Sequence, residues 1–453
     1  MNYLPMMTHQ SLDDVVATRQ GQGVTLRQFL ADVNYTRLLL RPGQHLLNNC
    51  QDCYHFMVGL AAAMVAGKTS LLPSTYTAES VRKMVDFAPD LFCLGDDGKD
   101  MGLPYLAFPT VLPDAPVDNL PTIPHLDESF PVAYVFTSGS TGTPVPHLKT
   151  WGGLVHSVRA EAQRLGLLDG HTYTVVGTVP PQHMYGFESI ILMAWQCAAV
   201  IAAERHFYPA DICAGISSVP RPRVLISTPV HLRSMLAADM PLPSVDLLLS
   251  ATAPLTRGLA VDAEARFSSE LLEIYGSTET GVVATRRTSQ TEEWHLLPEL
   301  SWSTEGDRIG IQGGHLQQVV EIGDAIEIVD EKHFLLYGRM EDLVNIAGKR
   351  SSISYLNHQL TSVAGVLDGV FFMPDESDDG RVTRLVAFAV APDLEMEIII
   401  ERLKQCVDPA FIPRPLRIVD SLPRNTTGKI SREALKTMAV ALIGKEERAS
   451  EIL

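Results

Sequence analysis

The sequence predicts an α/β protein with a large amino-terminal domain and a smaller carboxy-terminal domain. Over roughly the first 290 residues, short apolar runs alternate with stretches whose apolar side chains recur at helical spacing, a pattern typical of parallel sheets with helical connections. From Trp294 the apolar runs are short and alternate with polar residues, which indicates antiparallel β structure. A chain of 453 residues exceeds the usual size of one hydrophobic core. We expect mostly parallel sheets plus a β subdomain in residues 1–339, and an α+β domain in residues 340–453.

The individual elements follow from the same patterns. Helices are predicted at residues 25–40, 55–66, 78–87, 257–267 and 395–406. Strands are predicted at residues 44–47, 69–73, 91–95, 131–136, 173–179, 224–229, 245–250, 271–274, 318–322, 325–329, 333–337, 369–373 and 385–391. The proline-rich segment 104–131 is expected to be a surface connection.

Composition excludes several classes of protein. The formal net charge of −17 argues against a general nucleic-acid binder, which would be basic. Six cysteines are too few for a disulfide scaffold and indicate a reducing compartment such as the cytoplasm. The pair Cys50 and Cys53 has no second ligand pair at zinc spacing, which favours chance occurrence over a metal or redox site. No apolar stretch is long enough to predict a membrane span.

A loop of small residues follows the apolar run 131–136. It consists of Thr137, Ser138, Gly139, Ser140, Thr141 and Gly142. Glycine permits close approach, and consecutive backbone N–H groups can bind an anion, so the loop suits a polyphosphate; the alternative is a flexible surface turn. It is not the P-loop of kinases, because no lysine occurs between Gly142 and Lys149.

Further small-residue loops follow predicted strands at residues 180–186, 251–255 and 275–281. Open α/β sheets build their binding sites at the carboxyl edge of the strands. We therefore expect these loops to lie along one edge and to share a site with the loop after residue 136.

Five motifs, in this order, resemble those of the adenylate-forming superfamily, which includes acyl- and aryl-CoA synthetases, nonribosomal adenylation domains and firefly luciferase. They are the phosphate loop, the Y-G-x-T-E motif at residues 275–279, the Gly-Asp pair at 323–324, the interdomain hinge at 337–342 and the late lysine motif at 423–429. The resemblance covers nearly the whole chain.

The resemblance implies two half-reactions. A carboxylic acid attacks the α-phosphate of ATP and gives an acyl-adenylate and pyrophosphate. The thiol of CoA or of an acyl carrier protein then displaces AMP. Mg²⁺ assists the first step, and the small domain is mobile and rotates about a hinge at Glu341 between the two steps.

The resemblance also assigns roles to residues of the motifs. Lys429 would bridge the carboxylate of the acid and the α-phosphate, Glu279 would hold Mg²⁺, and Thr278 would contact the α-phosphate. Asp324 would accept hydrogen bonds from the ribose hydroxyls, and Arg339 would donate to the same sugar. The remaining nucleotide contacts would come from Ala253, Tyr275 and Gly276.

Residues 180–186 resemble the P-x-x-H-x-x-G segment of acyl and aryl acid ligases and lack the aspartate with which amino-acid-activating domains bind an amino group. His183, Tyr185, Gly186 and Ser277 would then contact the acid, with a core histidine as the alternative for His183. This segment favours a hydroxybenzoate-like aryl acid or an acyl acid.

Several positions depart from the family pattern. Val145 stands where the phosphate loop normally has a lysine, the hinge residue is Glu341 rather than Asp or Lys, and residues 355–357 replace an acidic run. The sequence leaves open whether Lys149 replaces the missing lysine. The alternative function is a catalytically impaired nucleotide-binding or regulatory protein on the same fold.

Overall fold

The structure is a computed structural model that describes residues 2–73, 76–109, 112, 122–138, 144–238, 240–306, 308–339, 343–346, 349–374, 384–424 and 430–450. Its residues group into two units. The large unit comprises Met1–Ala251, Asp262–Arg287 and His295–Glu321, and the small unit comprises Thr252–Val261, Thr288–Trp294 and Ile322–Leu453. Within the ranges described, no helix has the length and apolar character needed to cross a membrane.

Strands and helices follow one another closely along the chain. Up to residue 164 they are β1 (Tyr3–Pro5), β2 (Val15–Arg19), β3 (Gln22–Thr25), α1 (Leu26–Leu39), β4 (His45–Asn48), α2 (Cys53–Val65), β5 (Thr69–Leu72), α3 (Ala78–Phe87), β6 (Phe92–Gly95), β7 (Tyr105–Ala107), β8 (His125–Asp127), β9 (Pro131–Ser138), β10 (Pro144–Thr150) and α4 (Trp151–Arg164). Up to residue 296 they are β11 (Thr174–Gly177), α5 (Met184–Gly186), a π-helical segment (Phe187–Leu192), α6 (Met193–Gln196), β12 (Val200–Ala202), α7 (Pro209–Ser218), β13 (Arg223–Ser227), α8 (Pro229–Ala237), β14 (Leu247–Ser250), α9 (Arg257–Phe267), β15 (Glu270–Ser277), β16 (Gly281–Arg286) and β17 (Trp294–Leu296).

The rest of the chain is richer in antiparallel strands. It forms β18 (Leu300–Glu305), β19 (Arg308–Gly313), β20 (Leu316–Glu321), β21 (Asp324–Ile328), β22 (His333–Arg339), β23 (Leu343–Ile346), β24 (Lys349–Ser352), α10 (Ile353–Thr361), β25 (Asp368–Phe372), β26 (Val386–Val390), α11 (Met396–Cys406), a 3₁₀ turn (Pro409–Phe411), β27 (Leu416–Ile418) and α12 (Arg432–Ser450).

Two mostly parallel sheets form the framework of the large unit. The first has the strand order β10-β9-β5-β4-β6-β7, in which all neighbours except β10 and β9 are parallel. The second contains β15-β14-β13-β11-β12-β2 in parallel, flanked by antiparallel β16 and β3. The α/β expectation is confirmed, and the carboxyl ends of the parallel strands meet at one edge of each sheet.

Helix α2 shows why these residues form this framework. The Asp52 side chain accepts the hydrogen bond of the His55 backbone N–H and caps the helix. Almost every residue of α2 is buried, as expected of a helix that is apolar all round. The helix therefore belongs to the core and is not a membrane-facing segment.

The described parts of segment 104–131 differ from the expected surface connection, and residues 110, 111 and 113–121 lie outside the described residues. The segment contributes β7, which pairs with β6 at the edge of the first sheet, and β8, which pairs with β1. These strands are only three residues long, and their partners are distant in sequence, so no local pattern marks them. Strand β10 was also not expected, because Pro144 and Pro146 disfavour a strand; it lies at the sheet edge, where proline is tolerated.

The remaining part of the large unit is an antiparallel meander of β18, β19 and β20, as the alternation after Trp294 predicts. In the small unit, β21 pairs with β22, and β25, β26 and β27 form a sheet whose two faces are both buried. Phe371 faces a core that contains Leu360 and Leu403, whereas Val370 and Phe372 face a core that contains Leu435. Residues 340–342 lie outside the described residues, so the domain boundary at the hinge stays a prediction.

We predict that Leu403→Ala destabilises the small unit much more than Ile398→Ala, although both residues belong to α11. Leu403 is fully buried and Ile398 is 46% exposed. Leu403→Ala should lower the free energy of unfolding by about 2–5 kcal/mol, and Ile398→Ala by about 1 kcal/mol or less. Hydrogen exchange of the α11 and β26 amides measures the unfolding free energy of both variants. Equal losses in the two variants would contradict the assignment of Leu403 to the core.

Candidate functional site

The predicted phosphate loop connects two paired strands. Ser138 at the end of β9 is the register partner of Pro144 at the start of β10. The loop residues Gly139, Ser140, Thr141 and Gly142 lie outside the described residues. Because the antiparallel ladder begins at both ends of the loop, its entry and exit are held together by backbone hydrogen bonds.

The Y-G-x-T-E stretch forms a tight β-hairpin rather than the expected loop. Strand β15 continues through Tyr275 and Gly276 to Ser277, and β16 begins at Gly281. Ser277 and Thr280 bind each other across the turn: the Thr280 N–H donates to Ser277 Oγ at 3.2 Å, and the Ser277 N–H donates to Thr280 Oγ1 at 3.0 Å. Thr278 and Glu279 therefore lie at the tip of a hydrogen-bonded turn.

At two predicted site residues, Gly276 and Gly186, another stretch of backbone approaches so closely that only glycine fits. A Cβ atom on Gly276 would lie 2.1 Å from the carbonyl oxygen of Gly281, on the opposite strand of the hairpin. A Cβ atom on Gly186 would lie 2.1 Å from the carbonyl oxygen of Pro180. Neither position can hold a larger residue unless the backbone moves.

One imidazole nitrogen links the end of β9 to the hairpin tip. His147 Nε2, from β10, lies 3.1 Å from Thr137 Oγ1 and 3.3 Å from Glu279 Oε1. Two residues along the same strand, Lys149 Nζ lies 3.4 Å from the backbone oxygen of Glu279. Alternate residues of a strand point to the same face, so β10 presents both basic side chains to Glu279. His147 thus links Thr137, the first residue of the predicted phosphate loop, to the predicted metal-binding carboxylate.

The environment of Glu279 favours its ionised form. Burial alone would raise its pKa, but hydrogen bonds from its own backbone N–H and from Ser277, together with the charges of His147 and Lys149, lower the pKa below its usual value. Glu279 is therefore a carboxylate at neutral pH. Its side chain is 42% exposed, which leaves oxygen surface accessible to a ligand.

Glu188 and Glu161 of the large unit are buried, and the sequence patterns did not identify them. Glu188 belongs to the π-helical segment and Glu161 to α4; they are 3% and 0% exposed. Burial raises the pKa of Glu161 to about 8, helped by the charge of Glu188, while Ser189 Oγ donates to Glu161 Oε1 at 3.0 Å. Burial raises the pKa of Glu188 to about 7, against the effect of Lys149. The sequence signal for Glu188 is its position within the largely apolar run 187–195.

His315 is a second residue that the sequence patterns missed. It lies in the turn between β19 and β20, and its Nε2 is 2.7 Å from the backbone oxygen of Thr280. Burial lowers its pKa to about 4, so the imidazole is neutral at pH 7 and donates its Nε2 hydrogen to that oxygen. His315 therefore supports the turn that carries Glu279.

Three of the four predicted acid-binding residues, His183, Tyr185 and Gly186, belong to one short helical turn, whereas Ser277 ends β15. His183 precedes α5, and Gly186 ends it. The Tyr185 hydroxyl lies 3.1 Å from the Ser227 oxygen and 3.0 Å from the Leu249 oxygen, at the ends of β13 and β14. Burial raises the pKa of Tyr185 well above its usual value. This hydroxyl holds the turn against the carboxyl edge of the sheet, and the acid-binding roles stay predictions.

The structure describes three predicted nucleotide contacts of the small unit, Ala253, Asp324 and Arg339. Asp324 and Arg339 are register partners on β21 and β22, so the two predicted ribose contacts, fifteen positions apart in sequence, lie opposite each other. Next to Ala253, Thr252 has a φ of +80°, a conformation rare for a residue other than glycine. Lys429 and Glu341 lie outside the described residues.

Comparison with known proteins identifies a family, relatives and a structural neighbour. Residues 10–329 match the family model of the AMP-binding enzymes. The chain is 29% identical to 4-coumarate–CoA ligase of Halorhodospira halophila over 65% of this chain and 73% of the relative. It is 24% identical to the 4-hydroxybenzoate–CoA/benzoate–CoA ligase of Rhodopseudomonas palustris over 88% of this chain and 85% of the relative. The crystal structure of ATP-bound MatB from Rhodopseudomonas palustris superposes with a TM-score of 0.80 at 16% identity, covering 95% and 97% of the two chains.

The chain belongs to the AMP-binding enzyme family, and thus to the adenylate-forming superfamily. The resemblance found in the motifs is confirmed, and so is the acyl- and aryl-CoA ligase branch, since both curated relatives above are aryl acid–CoA ligases. The structural likeness confirms the fold.

We predict that Gly276→Ala disrupts the hairpin, because the added methyl group would meet the backbone of the opposite strand. A loss of melting temperature of several degrees, corresponding to about 2 kcal/mol or more, is expected. Gly258→Ala is the matched control: nothing lies within 4 Å of its Cβ position in α9, and alanine favours a helix. Similar melting temperatures for the two variants would contradict the hairpin geometry.

We also predict that Glu161→Gln changes how stability depends on pH. The folded pKa of about 8 exceeds the reference value of 4.5. The protonated carboxyl therefore contributes stability that is complete below pH 4.5 and is lost as the pH rises through about 8. Glutamine cannot ionise, so the stability of the variant relative to wild type should increase on the order of a few kcal/mol from pH 5 to pH 9.

Melting temperatures over this pH range measure the Glu161 effect. The control is Glu397→Gln on the exposed face of α11, for which we expect a curve parallel to that of the wild type. A parallel curve for Glu161→Gln would show that Glu161 titrates normally.

Proposed function

We propose that this protein uses ATP to activate a carboxylic acid and then transfers the acyl group to the thiol of CoA. The observation that carries the proposal is the contact of His147 with both Thr137 and Glu279, which joins the phosphate-loop strands to the carboxylate turn. The relatives support the acceptor, because those named above are CoA ligases. A carrier-protein thiol is the alternative acceptor.

The proposed acid is aromatic and hydroxybenzoate-like, with acyl acids as the alternative. The P-x-x-H-x-x-G segment and the names of the two aryl acid ligases support this class. His183, Tyr185, Gly186 and Ser277 are the proposed contacts of the acid. His183 and Tyr185 lie on the turn that the Tyr185 hydroxyl fastens to the sheet edge.

In the first step, a carboxylate oxygen of the acid attacks the α-phosphorus of ATP, and the bond from that phosphorus to the pyrophosphate oxygen breaks. In the second step, the thiol sulfur attacks the acyl carbon, loses its proton to solvent, and AMP leaves as the carbon–oxygen bond breaks. Both reactants of the first step are anions, so the site has to supply positive charge. Lys429 is the proposed source, and Thr278 the proposed contact of the α-phosphate.

The site suits Mg²⁺. Glu279 offers an ionised, partly exposed carboxylate, and no group of three or more His, Cys, Asp or Glu side chains at metal-binding distance occurs within the described ranges. Mg²⁺ is commonly held by one or two carboxylates together with waters and substrate phosphates, and not by a complete protein cage. When bound, the ion would neutralise phosphate charge, and Glu279 is the residue that would hold it.

The predicted site residues account for the phosphate, adenine and ribose contacts of the nucleotide. Residues 137–142 would enclose the β- and γ-phosphates, Tyr275, Gly276 and Ala253 would contact adenine, and Asp324 and Arg339 the ribose. The opposed positions of Asp324 and Arg339 support the last assignment.

We predict acid-dependent exchange of pyrophosphate into ATP. A screen of benzoates, cinnamates and fatty acids should give the highest rate with a hydroxybenzoate or a related aryl acid, and AMP release should then depend on CoA. Lys429→Ala should lower exchange by a factor of about 100 or more and leave ATP affinity nearly unchanged, since the lysine acts on the developing charge.

Lys436→Ala, on the exposed face of α12, is the matched control and should retain exchange. ATP binding without exchange for any acid would instead support the impaired, regulatory alternative. Faster AMP release with a phosphopantetheinylated carrier protein than with CoA would overturn the proposed acceptor.

A further inference from the structure

Two consecutive backbone carbonyls of the hairpin turn are each held by a basic side chain from elsewhere in the large unit. The Glu279 oxygen lies 3.4 Å from Lys149 Nζ of β10, and the Thr280 oxygen lies 2.7 Å from His315 Nε2. The two carbonyls belong to successive peptide units, the one that follows Glu279 and the one that follows Thr280. Contacts to both restrain the backbone on the carboxyl side of Glu279, from which the Glu279 side chain extends.

Glu188 lies directly behind the same turn. A Cβ atom on Gly281 would come within 3.0 Å of Glu188 Oε1, so this carboxylate packs against the backbone where β16 begins. Gly281 has a φ of +66°, which a side chain would rarely tolerate. Glu188 belongs to a π-helical segment, a rare conformation that is frequently found at functional sites.

Lys149 and Glu188 approach the same turn: Lys149 Nζ lies 3.4 Å from the Glu279 oxygen, and Glu188 Oε1 packs against the backbone at Gly281. The charges of Glu188 and Glu279 raise the pKa of Lys149, against a larger lowering by burial, and Lys149 in turn lowers the pKa of Glu188. Glu161, the other buried acid, has a pKa of about 8 and is protonated at neutral pH. A buried carboxylate without a partner of opposite charge is strongly destabilising.

We propose that Lys149 is a positioning residue: paired with Glu188 beneath the turn, it holds the Glu279 carbonyl and so aims the Glu279 carboxylate. In this role, its ammonium group is occupied within the protein. Lys149 is therefore not a substitute for the phosphate-loop lysine that Val145 replaces. The inference rests on the proposed function only in taking Glu279 as the metal-holding residue.

The two possible roles of Lys149 predict different binding behaviour. A lysine that contacts phosphates contributes to ATP binding whether or not Mg²⁺ is present. A lysine that aims Glu279 contributes only to the Mg²⁺-dependent part of binding. Coupling between Lys149 and Glu188 gives a third way to distinguish the two roles, because it affects the stability of the protein in the absence of any ligand.

The test compares wild type, Lys149→Met, Glu188→Gln and the double variant in the full chain. Lys149→Met retains the length of the side chain and removes its charge. We expect its melting temperature to fall by about 5 °C or more and the Mg²⁺ concentration for half-maximal ATP binding to rise about tenfold. The dissociation constant of ATP in EDTA should stay within about twofold of wild type.

In the double variant, the melting temperature should recover most of this loss, because no unbalanced carboxylate remains. Its Mg²⁺ dependence should stay impaired, because the Glu279 carbonyl still lacks its donor. Leu148→Met, on the opposite and exposed face of β10, is the control and should leave all three measurements unchanged.

Two results would overturn the proposal. A tenfold or greater loss of ATP affinity in EDTA, with normal Mg²⁺ dependence, would make Lys149 a phosphate contact. Additive losses of melting temperature in the double variant would show that Lys149 and Glu188 are not coupled. The stability comparison requires neither ATP nor an acid, so it stays informative even if the wild-type protein fails to catalyse exchange and the proposed function is wrong.

Discussion

The antiparallel pairing of β9 with β10 is the constraint on which the rest of the site depends. It holds together the two ends of the run of glycines and hydroxyl residues that connects these strands. The same pairing turns His147 and Lys149 toward the β15–β16 hairpin. If β10 were a loop, as its two prolines suggest, neither side chain would have a defined direction. Edge position is what allows this strand to contain proline and still form the ladder.

Buried charge is the second organising feature. Glu188 and Glu161 are placed where an apolar core would be expected, and their cost is limited in two different ways. Glu161 stays protonated and accepts a hydrogen bond from Ser189, whereas the charge of Lys149 opposes the rise that burial causes in the pKa of Glu188. A core built in this way is sensitive to the loss of a single charge. Carboxyl groups with perturbed pKa values cluster at functional sites, and here Glu188 packs against the turn that carries Glu279.

The fold and the motif positions could be predicted from the sequence to a large extent. The helices at 78–87 and 257–267 have the predicted bounds, and most predicted strands of the parallel sheets are present within a few residues. Strands β7 and β8 could not be found, since each is three residues long and is defined by a partner far away in the chain. The first residues of the Y-G-x-T-E motif were expected in a loop, because small polar residues are typical of loops. They extend a strand, since β16 supplies the pairing.

The sequence by itself determined the family, the order of the motifs and the residue types that the chemistry needs. These features are local: a glycine, a hydroxyl or a carboxylate at a given spacing is visible without any partner. Only the tertiary structure decided that Lys149 and His147 meet Glu279, that Asp324 faces Arg339, and that His315 and Glu188 support the turn. Those relations depend on strand register and on the approach of distant segments. Free energy from long-range packing, and not local propensity, selects them.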